Sequence, residues 1–159
     1  MPFRLRRDAR AWFRDISDEF SLDFDMYHLC LLAGLASQRK SEVPPEDTTV
    51  LVDYFPGEYR NTGRLIVALF VATELRLMGI DRSERDHLHS EVSMLVDPAG
   101  TSFLSDAGMR EINRYAHGGF DTISEWFDAR PHTFEAFLVN YKEKLDRALS
   151  GRIPQPTPA

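Results

Sequence analysis

Hydrophobic and polar positions change period twice within the first 40 residues. Phe3 and Leu5 alternate with Arg4 and Arg6, the period of a strand with one buried face. From residue 9 the period becomes helical: Ala9, Trp12, Phe13, Ile16 and Phe20 fall at i, i+3, i+4, i+7 and i+11. Arg7, Arg10 and Arg14 occupy another face of the same predicted helix. A second helix, capped by Asp23 or Asp25, is predicted to about Gln38 and is apolar on nearly every side from Leu29 to Ala36, with Arg39 and Lys40 suited to its dipole. Residues 3–39 thus read as strand, helix, helix with arginines outward, the order in which ribbon-helix-helix proteins present a two-stranded ribbon to DNA.

Further along, residues 41–49 carry Pro44, Pro45 and several acids and read as a loop, and Thr49 to Phe55 as a short strand. Arg64 to Met78 is almost wholly apolar and closes at Gly79, which predicts a central helix. Asp81 caps the next helix, with Leu88, Val92 and Leu95 on its apolar stripe. Ser105 opens a helix expected to stop at His117 before Gly118–Gly119, where an imidazolium suits the dipole; a short helix with Phe120, Ile123 and Phe127 follows. Phe134, Phe137, Leu138, Tyr141 and Leu145 mark a last amphipathic helix, and the proline-rich end, 151–159, is expected to be disordered. The expectation is a mainly α, single-domain fold over 1–150, with one or two short strands.

The net charge of −6 over 159 residues conceals an asymmetry: residues 1–14 hold five arginines and one aspartate. An acidic body with a basic end favours local contact with nucleic acid over a broad basic surface. The plainer reading is a solvated arginine face. Cys30, the only cysteine, sits among leucines; a lone cysteine fits a reducing cytoplasm, and its setting reads as core. No signal peptide is expected, because arginines begin at position 4 with no apolar h-region after them, and no membrane span, because the longest apolar run, Leu65 to Ala72, is too short. Trp12 and Trp126 both fall at core spacing, and no Walker loop, dinucleotide fingerprint, nucleophile elbow or zinc spacing is present.

Two polar constellations invite a metal. Glu84, His87 and Glu91 share a helix face beside Asp86, and a nicking nuclease would need such a site for Mg or Mn. Asp53, Glu58 and Arg60 resemble the acid, acid and base of a metal-dependent nuclease, but arginine does not give up its proton to serve as the base. The plainer readings are an exposed face of mixed charge and a polar loop. Tyr54, Phe55, Tyr59, Arg60, Asn61 and Arg64 in that loop suit a DNA backbone, and Tyr54 or Tyr59 as a covalent nucleophile lacks a visible activating neighbour.

The segments FRLRRDARAWFRDIS, MYHLCLLAGLASQ and DYFPGEYRNTGRLIVALFVATELRLMGID, with a fainter echo at INRYAHGG, resemble the DndE proteins of bacterial DNA phosphorothioation over roughly residues 3–120. The resemblance implies a small helical, oligomeric protein of a modification or phage-defence cluster that binds nicked or duplex DNA, alongside other proteins of the cluster. The chain departs from that pattern in its extra C-terminal helices and its acidity. Three functions follow: a DNA-binding accessory using Arg4, Arg6, Arg7, Arg10, Arg14, Arg60 and Arg64 and needing no cofactor; a metal-dependent DNA nickase; or a non-enzymatic adaptor for a larger subunit.

Overall fold

The period switch at the N-terminus is realised in the chain's first two elements. In this computed structural model, which describes residues 1–151, the order is β1 (Arg4–Arg6), α1 (Arg7–Trp12), α2 (Asp23–Ser37), β2 (Thr48–Val50), α3 (Gly63–Leu77), α4 (Arg85–Leu95), α5 (Asp106–Trp126) and α6 (Phe134–Ser150). The fold is mainly α with one two-stranded antiparallel sheet, in which Leu5 stands opposite Thr49. Phe3 and Leu5 are buried, as their alternation requires. The predicted strand 49–55 is only Thr48–Val50, though Phe3 N–H to Val52 O (2.8 Å) and Leu51 N–H to Phe3 O (2.9 Å) prolong the pairing.

The opposite edge of β1 is closed by α5. Asn113 Oδ1 accepts the Arg4 backbone N–H (3.1 Å), and the Asn113 amide donates to Pro2 O (3.2 Å). A ribbon-helix-helix protein takes its second strand from another subunit; here the chain supplies its own, so forming the ribbon requires no second copy.

The first helix does not run to Phe20. It ends at Trp12, and Arg14–Glu19 is a 3-10 segment. Asp15, Ser17 and Asp18 are poor helix formers, and the Ser17 hydroxyl bonds the Arg14 carbonyl at 2.8 Å. Ala9, Trp12 and Phe13 are buried all the same, and the 3-10 segment keeps Ile16 on the same core side. At the start of α2 the Asp25 carboxylate accepts the Leu22 N–H (3.0 Å), one arm of a capping box, and Gln38 ends the helix in the left-handed region.

The centre of the molecule is the crossing of α2 and α5, and here the sequence expectation fails usefully. Gly118–Gly119 do not end a helix; α5 passes straight through them to Trp126. A Cβ on Gly119 would lie 1.6 Å from Cys30 O, and one on Gly34 would lie 1.9 Å from Tyr115 O. The glycines are there for backbone contact between helices, not for a turn. His117 is therefore mid-helix and buried, with no C-terminal dipole beside it.

Nor is α3 the central helix. Ile66, Val67 and Phe70 face the core, but Leu65, Leu69 and Leu77 are exposed, as is Met78 beyond its end. Glu74 on its inner face is 3% exposed and accepts hydrogen bonds from Lys40 Nζ (2.7 Å) and the Tyr115 hydroxyl (2.6 Å). Lys40 also reaches Glu111 (2.9 Å), so a buried charge ties α3 to α5 through the segment after α2. α6 packs Phe137 on Trp12 and Phe13, and the Tyr141 hydroxyl donates to Leu29 O (2.6 Å). Among the described residues no helix is long and apolar enough to cross a membrane. The end expected to be disordered falls, from 152 on, outside the described residues.

Candidate nucleic-acid interface

The arginines of the N-terminal unit separate into two groups. Strand alternation turns Arg4 and Arg6 away from Leu5, but neither side chain is left to solvent. Arg4 Nη1 donates to Thr48 Oγ1 (3.1 Å). Arg6 forms a fork with Asp8 (2.9 and 2.7 Å), donates to Asp121 Oδ1 (2.7 Å) and His117 O (3.0 Å), and lies 5.0 Å from the Phe120 ring centroid. Burial works against its charge, yet Asp8 and Asp121 outweigh that and hold its pKa above the ordinary arginine value. This guanidinium is a structural tie between β1 and α5.

Arg7, Arg10 and Arg14 behave differently. With Ala11, Ser17, Asp18, Asp23 and Met26 they line one open recess of about 390 Å³. Helical spacing brings Arg7 and Arg10 together, and the 3-10 turn carries Arg14 onto the same wall. Arg7 and Arg14 are exposed, and neither has an ion-pair partner among the described residues. Arg10 Nη2 is held by Asp23 Oδ2 at 3.0 Å, while its Nε is buried without a hydrogen-bond partner. The recess therefore presents two guanidinium groups without a carboxylate partner, of which Arg7 also reaches Thr48 O through Nε (3.5 Å), and a third under the hold of a carboxylate. An oxyanion fits this donor set, provided it displaces Asp23 from Arg10.

Arg60 and Arg64 lie apart from this recess. Arg60 is exposed, and the Arg64 guanidinium carbon is 5.2 Å from the centroid of the Phe103 ring. In the same loop the Tyr59 hydroxyl donates to Asp25 Oδ1 (2.5 Å), and burial together with that carboxylate pushes its pKa well up. The phenolate needed for nucleophilic attack is thus disfavoured. Asp53 and Glu58 are exposed. His87 stands between Glu84 (3.2 Å) and Glu91 (3.8 Å), an exposed face of mixed charge. Among the described residues no three His, Cys, Asp or Glu side chains are grouped to hold a metal ion.

Cys30 and His117 are among the buried groups whose titration is strongly shifted without a cleft to serve. Cys30 is 1% exposed, and burial pushes its thiol up, so it stays neutral in the core. His117 is pushed down to about 4 by burial and then by the nearby Arg6 charge. Sequence reasoning did not assign Ser17 and Asp18 to the recess, and took Asp23 only as a helix cap. Asp23 is thirteen positions from Arg10, so no helical spacing links them; only the turn between α1 and α2 does. No protein-family model, curated protein or solved structure matches the chain. The functional reading rests on its own residues.

Proposed function

We propose that this chain is a DNA-binding accessory protein of a bacterial phosphorothioation or phage-defence system, gripping the backbone of duplex or nicked DNA. One observation carries the reading: Arg7, Arg10 and Arg14 converge on a single open recess in a chain that is acidic overall. Guanidinium groups suit phosphate oxygens, and an arginine cleft reads backbone before bases. The DndE-like opening segments support the biological setting, in which the protein acts in the cytoplasm with other members of the cluster. Arg4 and Arg6 serve by fixing the unit that carries the recess, and Arg60 and Arg64 belong to a second, separate contact.

The test is a mobility shift on intact and nicked duplex at low and moderate salt, with plasmid relaxation measured in magnesium and manganese. Binding without cleavage, lost in the Arg7/Arg10/Arg14→Gln variant, is the expected result. Metal-dependent nicking would favour the nickase and its carboxylates. Folded protein that neither binds nor nicks would overturn both readings.

A second reading has its own observation. The outer face of α3, with Leu65, Leu69 and Leu77 exposed, makes an apolar strip that suits an adaptor docking a larger subunit or another copy of this chain.

A further inference from the structure

Beside the start of α3 lies a second concavity with different chemistry. It measures about 240 Å³ and is lined by Arg64, Val67, Val96, Pro98 and Phe103. Four walls are apolar, and the fifth is a guanidinium with no ion-pair partner among the described residues. Phe103 is also unusual in its backbone: its φ is +62°, the left-handed region that a bulky side chain rarely occupies.

The loop is built to hold that conformation. The Val96–Leu104 bridge closes it, Asp97 N–H donates to Phe103 O (2.9 Å), and Phe103 N–H to Gly100 O (3.3 Å). Thr101 Oγ1 pins it to Asp53 O (2.8 Å). The result is an aromatic ring held near Phe55 (centroids 6.3 Å apart) with the Arg64 guanidinium carbon 5.2 Å from its centroid. Strain retained by a tightly tied loop is a mark of a working surface, and here it presents a ring at the mouth of an apolar concavity.

We propose that this concavity binds a small organic carboxylate with a single planar apolar ring. Size is compatible with this ligand, since an open concavity of about 240 Å³ accommodates one ring and its carboxylate. Composition sets the limit. Val67, Val96, Pro98 and Phe103 desolvate the ring, and Arg64 supplies the only charge on the wall, so an anion is selected over a cation. The site uses none of Arg7, Arg10 or Arg14 and so lies apart from the arginine recess, while Arg64 is shared with the second backbone contact proposed above.

The experiment follows the methyl resonances of Val67 and Val96 while the full chain is titrated with benzoate, acetate or benzylamine. Benzoate shifts both sets of methyls with a Kd of ~1 mM, as expected for one ring and one charge-assisted contact. Acetate lacks the ring and benzylamine inverts the charge, so both bind at least about tenfold more weakly. Arg64→Gln weakens benzoate by a similar factor, and Arg76→Gln, an exposed arginine later in the same helix, leaves it unchanged. Phe103→Gly relieves the left-handed backbone and keeps the loop while removing the ring wall, and it abolishes the response. Absence of methyl shifts, equal binding of benzylamine, or indifference to Arg64→Gln each overturns the proposal.

Discussion

Asp23 sets the sharpest test of the arginine recess, because its removal should strengthen binding where every arginine removal weakens it. Arg7 and Arg14 are exposed, and Arg10 is held at 3.0 Å by Asp23. A phosphate that neutralises one arginine contributes about 0.9 to the log–log slope of affinity against salt. Within the recess Arg7 and Arg14 contribute about −1.8 to the slope, and full engagement of Arg10 brings the recess's share to about −2.7; the separate Arg60 and Arg64 contact adds the same increment to every recess variant. Between 50 and 200 mM salt the recess's share of the affinity then falls about 12-fold in the first case and about 40-fold in the second. Fluorescence anisotropy on a short labelled duplex across that range reads the slope directly. Arg7→Gln and Arg14→Gln each reduce it by about 0.9, Arg10→Gln by less, and Asp23→Asn raises it toward the larger value. Arg6→Gln is the counter-example: it leaves Asp8 and Asp121 without their partner and lowers the melting temperature, with the slope unchanged. A triple arginine variant that keeps the wild-type slope, or an Asp23→Asn variant that binds more weakly while folded, refutes the assignment.

The remaining predictions concern the frame that holds the recess. Gly119→Ala drives a Cβ to 1.6 Å from Cys30 O and should cost about 3 kcal/mol despite alanine's better helix propensity, whereas Gly57→Ala, with nothing within 4 Å, is near neutral; urea midpoints separate the two. Asn113→Ala removes the acceptor for Arg4 N–H and for the buried Tyr27 hydroxyl (2.8 Å), so a loss of about 2–3 kcal/mol and faster hydrogen exchange in β1 are expected. His117 is held near 4, below its unfolded value, so the folded state binds fewer protons between pH 6.5 and 4. Its stability is full above pH 6.5 and falls by about 3 kcal/mol by pH 4, and His117→Gln should flatten that part of the urea-midpoint profile against pH. Leu69→Glu on the exposed side of α3 should leave the melting temperature within a few degrees and abolish any self-association seen by light scattering.

The elements that declared themselves in the sequence were those whose periodicity is local. β1, α2, the end of α3 at Gly79 (φ +71°) and α6 were all legible from spacing and end signals. What stayed hidden was set by contacts between distant positions. Gly118 and Gly119 read as a helix stop because a glycine pair usually is one; their purpose exists only once α2 lies across them. The apolar run of α3 predicted a central helix, yet Leu65, Leu69 and Leu77 on one side are exposed among the described residues. Arg4 and Arg6 looked like the foremost members of a basic surface, but Thr48, Asp8 and Asp121 take up their donors. The loop acids Asp53 and Glu58 invited a metal by spacing beside the plainer reading of a polar loop, and among the described residues no such group is gathered.

The division of labour among the arginines explains how an acidic protein can keep a basic recess. Fixing Arg6 to α5 and Asn113 to β1 immobilises the segment from which α1 departs, so Arg7 and Arg10 project from a rigid base. A preorganised cleft loses less entropy on meeting a phosphate than arginines on a loose tail would. Asp23 then plays an opposing part. It keeps Arg10 in place while the recess is empty, and it raises the requirement for any anion that enters. A single chloride or carboxylate gains little by competing with a carboxylate already at 3.0 Å, whereas a polyanion engages Arg7 and Arg14 first and brings its next phosphate to Arg10 at high effective concentration. If the proposed DNA binding holds, selectivity for a chain of phosphates over isolated anions follows from one ion pair, and Asp23→Asn should narrow the preference for duplex over free phosphate as it tightens both.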